Sequence, residues 1–92
     1  MKKIEINNQT YEIIRNDNNC LEQEELSEKI TEYFDDFDYI FGDFSYDKVR
    51  LKGYNSSDNK NATKINDIKY LDEYIKEYCS YGARVFLLKK VK

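Results

Sequence analysis

Hydrophobic positions along the chain alternate, then fall into a helical period, then alternate again, and this succession predicts the elements. Lys3–Asn7 places Ile4 and Ile6 on one side of an extended segment, and Thr10–Arg15 follows with Tyr11 and Ile13 against Glu12 and Ile14. Asn7-Asn8-Gln9 lies between them, and asparagine tolerates positive φ, so the two segments read as a hairpin. After the polar run 16–19, Leu21, Leu26, Ile30, Phe34 and Phe37 recur at roughly helical spacing, predicting a first helix from about Cys20 to Asp36. Asn19 and Glu22 have the spacing of a capping box at its start, and Asp35-Asp36 oppose the helix dipole at its end.

Tyr39–Asp43 and Lys48–Tyr54 read as a second hairpin, with Phe44–Asp47 turning the chain. In its returning strand Val49 and Leu51 face the core, while Arg50, Lys52 and Tyr54 face outward. Residues 55–61 form a polar loop without an apolar anchor, the most flexible stretch. A second helix starts between Asn66 and Tyr70 and carries Ile68, Leu71, Ile75, Tyr78 and Cys79, with Gly82 as its stop. Val85-Phe86-Leu87-Leu88, within Arg84–Val91, predicts a last strand in a buried position. The order β-β-α-β-β-α-β describes one small α+β domain over 1–92, a mostly antiparallel sheet with two helices packed on one face.

Composition narrows the function classes. The chain has 92 residues, 40% hydrophobic and 15% aromatic, enough apolar surface for one core despite 36% charged residues. There is no histidine, which removes the usual general base and a common metal ligand. The lysines at positions 2 and 3 precede no apolar run, and no stretch approaches the ~18 apolar residues of a spanning helix, so a cytoplasmic location with no membrane association is expected. Cys20 and Cys79 are then expected to be reduced thiols. The net charge of −3 hides an asymmetry. Glu22 to Asp38 holds eight acids and one base, whereas Lys48 to Lys64 holds five bases and one acid.

Candidate chemistry is sparse. Asp38, Asp43 and Asp47 could form a carboxylate cluster, but Asp38 and Asp43 have opposite parity on the strand and point to opposite faces. The plainer reading has Asp38 ending the helix, Asp43 pairing with Arg50 or Lys52 across the hairpin, and Asp47 in a turn. Gly42 and Gly53 mark a kink or a place where an aromatic ring packs over the sheet. Cys79, near a helix C-terminus and without a base, reads as a core residue. No metal set, cofactor site or nucleophile–base pair can be assembled, so the chain reads as a non-enzyme.

Phe37–Tyr54, with its Gly-Asp and Arg-Leu-Lys-Gly elements, resembles the signature of the YutD-like family. Tyr74–Gly82, containing Glu-Tyr-Cys, and the apolar strand ending in Lys-Lys-Val resemble it too. Phe44 departs from the pattern, which usually has Trp there. The resemblance covers nearly the whole chain and implies a small cytosolic protein of low-GC Gram-positive bacteria or their wall-less relatives. The family is one of unknown function, and the resemblance brings no reaction and no catalytic residues.

These readings converge on a binding module. The candidate surface comprises Asp43, Tyr46, Arg50, Lys52 and Tyr54, and the expected partner is another protein. The acidic first helix could itself meet a basic partner. The alternative is a small RNA-binding or ribosome-associated protein that stacks bases on the same aromatics, with Lys89, Lys90 and Lys92 extending the patch.

Overall fold

A computed structural model describes residues 2–17, 21–45, 48–78 and 84–91. The first hairpin pairs β1 (Lys3–Ile6) with β2 (Gln9–Asn16) in antiparallel register. Its turn is the asparagine pair itself, with φ of 52° at Asn7 and 68° at Asn8, the left-handed values that suit a tight hairpin.

The apolar stripe that predicts one long helix is divided in two. α1 spans Gln23–Lys29, and a separate 3-10 helix spans Glu32–Asp36. Between them Ile30 and Thr31 adopt extended backbone, which their β-branched side chains favour. The Thr31 hydroxyl then caps the new turn, accepting from the Tyr33 N–H at 3.4 Å. Asn7 Nδ2 donates to the carbonyls of Ser27 and Ile30, both at 2.9 Å, and so satisfies acceptors at the end of α1. The break occurs where the chain must swing Ile30 and Phe34 onto the sheet.

The second hairpin is β3 (Tyr39–Ser45) with β4 (Lys48–Tyr54). A 3-10 turn at Ile68–Tyr70 leads into α2 (Leu71–Tyr78), and β5 (Arg84–Lys90) ends the regular structure. The sheet order is β1-β2-β5-β3-β4, and every strand pair is antiparallel. The last strand is therefore the central one, between the two hairpins.

Central placement explains the run Val85-Phe86-Leu87-Leu88, all four buried. It also corrects the expectation that both helices share one face. Phe86 and Leu88 pack with Leu26, Ile30, Phe34 and Ile40 under α1 and the 3-10 helix. Val85 and Leu87 pack on the opposite side with Phe41, Tyr54 and Leu71 of α2. A central strand with no polar alternation needs cover on both sides, and the two helices divide that task.

Both glycines of the second hairpin sit beneath aromatic rings. A Cβ on Gly42 would lie 2.1 Å from the Phe86 ring, and one on Gly53 would lie 2.3 Å from the Phe37 ring. The loop after β4 is also a correction, because polar side chains anchor it. The buried Asp38 carboxylate accepts from the Ser56 N–H and from Asn59 Nδ2, both at 2.9 Å. Asn55, 2% exposed, accepts from the Asp38 N–H at 3.3 Å and pairs with Asp67 through a parallel bridge. Asp67 accepts from Ser57 Oγ at 2.6 Å and from the Lys69 N–H at 3.0 Å. These bonds, the Ser57 hydroxyl foremost, hold the Asp67 carboxyl below the usual carboxylate range. Asp38 is therefore an anchor for the loop rather than a helix stop.

Candidate binding surface

Strand parity places Asp43, Arg50, Lys52 and Tyr54 on the face that α2 covers. Asp43, 2% exposed, lies opposite Arg50 in the β3–β4 register. The guanidinium donates through Nε to one carboxylate oxygen at 3.0 Å and through Nη2 to the other. This two-point pairing satisfies a buried carboxylate from a half-exposed arginine. The pair is thus a structural element of the hairpin.

Tyr54 is the clearest departure from the expected surface. It shares a side with Arg50 and Lys52, as the alternation requires, but it is 1% exposed. Its ring meets Phe41 edge-on at 6.4 Å and Tyr74 at 6.3 Å, beneath α2. Tyr46 lies outside the described residues. Lys89 and Lys90 do not extend the patch, because β3 separates β5 from β4. Lys89 sits over Tyr39, and Lys90 Nζ donates to the Asp35 carbonyl at 2.6 Å. Lys92, like Cys20 and Cys79, lies outside the described residues.

Lys52 is the hinge of the surface that does form. Its ammonium lies 5.2 Å from the Tyr54 ring centre and 4.8 Å from that of Tyr74, a cation held against two aromatic faces. From there an open groove of about 540 Å³ runs along α2, lined by Lys64, Ile65, Tyr70, Glu73, Tyr74 and Tyr78 among others. Tyr74 and Tyr78 stack side by side, 5.0 Å apart. A smaller cavity of about 200 Å³ lies towards Tyr33, Phe37, Leu51 and Gly53, and Lys52 and Ile65 line both.

Three of the four large hydrophobic side chains exposed among the described residues belong to these two cavities. They are Tyr33 at 69%, Ile65 at 74% and Tyr78 at 62%. Their convergence on β4 distinguishes this region from the scattered apolar exposure of an ordinary surface. The groove's charge is balanced, with Lys52 and Lys64 against Glu73 and Glu77.

The candidate surface read from the sequence omits Tyr70, Tyr74 and Tyr78, although Tyr78 is placed there on the stripe of the second helix. Their spacing of four places them along one side of a helix, a signal present in the chain that reads first as core packing. Among the described residues, no three His, Cys, Asp or Glu side chains gather where a metal could be held. No helix among them is long and apolar enough to cross a membrane.

A family model described as "Putative antitoxin YutD-like" matches residues 5–89. A Bacillus subtilis (strain 168) protein described as "Putative antitoxin YutD" is 36% identical over 87 residues, covering 95% of this chain and 96% of its own length. The solution NMR structure of protein yutD from B. subtilis superposes with a TM-score of 0.79 at 35% identity. That match covers all of this chain and 84% of the other.

Proposed function

The chain belongs to the YutD-like family, and from that premise we propose that it is a non-enzymatic, cytoplasmic protein-binding module of antitoxin type. Its partner is a protein, in keeping with the antitoxin description of its relative. The observation that carries this reading is the convergence of exposed Tyr33, Ile65 and Tyr78 on the rim of β4, beside the Lys52–tyrosine cluster. Exposed aromatic and aliphatic anchors around a charge-balanced groove suit a protein interface, where Tyr and Arg concentrate binding energy. The same balance disfavours the RNA alternative, since phosphate recognition draws on an excess of cations that Glu73 and Glu77 cancel here.

The test is affinity capture from the native cytosol with the full chain as bait, with and without RNase. Capture is expected to resist RNase and to be lost in the Ile65→Ser/Tyr78→Ala double variant. It should persist with Ile14→Ser, whose exposed side chain lines neither cavity. A signal that RNase abolishes, or one indifferent to both variants, would overturn the proposal.

A further inference from the structure

The two edges of the sheet are finished differently. At β1, Gln23 Nε2 of α1 donates to the Glu5 main-chain carbonyl at 2.6 Å, so a helix side chain occupies part of that edge strand's hydrogen-bonding capacity. β4 pairs with β3 on one side only, and no other described strand lies along its outer side. The bridge from Asn55 to Asp67 closes that side only beyond Tyr54. Seven residues of extended backbone, Lys48–Tyr54, are thus presented between the two cavities that hold Tyr33, Ile65 and Tyr78.

We propose that the β4 edge binds its partner by strand addition, taking an extended segment in which acidic residues alternate with apolar ones. This deepens the protein-binding reading above and rests on it. The charge pattern selects the occupant. Lys48, Arg50 and Lys52 project to the α2 face at every second position. Asp43 balances Arg50, whereas Lys48 and Lys52 have no salt bridge among the described residues. A strand laid beside them places its alternate side chains against these lysines, where carboxylates are favoured and cations are not. On the other face, Leu51 is half-buried and borders the cavity with Tyr33 and Phe37, so the intervening positions meet apolar surface.

The same pattern argues against a second copy of the chain. Two β4 edges paired antiparallel about Arg50 would set Lys48 against Lys52 twice. Like charges directly opposite destabilise a ladder and are a recognised guard against edge-to-edge association.

The experiment uses the full ¹⁵N-labelled chain and two capped seven-residue peptides, one alternating valine with glutamate and the other valine with lysine. The glutamate peptide is expected to shift the amide resonances of residues 48–53 and slow their hydrogen exchange. The lysine peptide is expected to bind at least about tenfold more weakly. Lys48→Glu/Lys52→Glu should reverse the preference. Equal binding of the two peptides, or binding without protection of the β4 amides, would overturn the strand-addition proposal. In that case RNase-resistant capture through Ile65 and Tyr78 would still uphold protein binding by another geometry. Peptide protection combined with RNase-sensitive capture would support the edge while counting against the wider reading.

Discussion

The two faces of the sheet are built from different materials. Under α1 and the 3-10 helix, the core is aliphatic and phenylalanine-rich, and Leu26, Phe86 and Leu88 are wholly inaccessible. Under α2, the core is smaller and its perimeter is tyrosine. Phe41, Tyr54 and Tyr74 meet edge to face, then Tyr78 carries the stack out to solvent. Tyrosine allows this because its ring packs like phenylalanine while its hydroxyl tolerates water. One face therefore closes the fold, and the other ends in a groove.

Substitutions should therefore separate by face. Phe86→Ala, beneath α1, should cost the most, about 3–5 kcal/mol in urea unfolding, because a central ring is removed and the cavity cannot collapse freely. Leu71→Ala, at the foot of α2 and 8% exposed, should cost less, about 2–3 kcal/mol. A loss from Leu71→Ala equal to that from Phe86→Ala would erase the distinction. Arg50→Ala should cost about 1–3 kcal/mol, since the buried Asp43 carboxylate loses its two-point partner. Lys52→Ala, by contrast, should weaken partner capture while moving the unfolding midpoint little.

Acid provides a further test. The Asp67 carboxyl is held low in the folded chain, so its stabilisation is present above its unfolded value, about 3.9, and is lost as pH falls through the depressed folded value. The difference in urea midpoint between the wild type and Asp67→Asn should therefore be largest near neutrality and shrink below about pH 4. Smallest of all, Tyr78→Ser should change stability by no more than about 0.5 kcal/mol, because its side chain is mostly in solvent. A larger loss would make Tyr78 part of the core and remove the contrast between the faces.

Element order, the asparagine turn, the buried last strand, the glycines under aromatic rings and the Asp43–Arg50 pair were all legible in the sequence. Each depends on local periodicity or on a register the hairpin fixes. Alternation correctly grouped Arg50, Lys52 and Tyr54 on one side, but it cannot say whether a side is wet. Tyr54 is buried because α2, whose first residue is seventeen positions later, folds back over it. The division of the first helix was equally hidden, since Ile30 and Phe34 fit a continuous stripe until the sheet dictates where they must land. The loop's anchors escaped for a chemical reason. Asn55, Asn59 and Asp67 resemble solvent-facing residues until the fold brings Asp38 to the two asparagines and Ser57 to Asp67.

The position of β5 also bears on how the molecule is made. Every other described element precedes it along the chain, yet it is the strand that joins the two hairpins. During synthesis, a ribosome therefore delivers β1–β2 and β3–β4 as separate pieces with no ladder between them, the inner edges of β2 and β3 still open. Such raw edges invite wrong pairings, and long-range closure of this kind is slow compared with local folding. Until residues 84–90 have emerged, the strand that closes the sheet between the two hairpins is missing. A premature stop before them removes both ladders through which the two hairpins are joined.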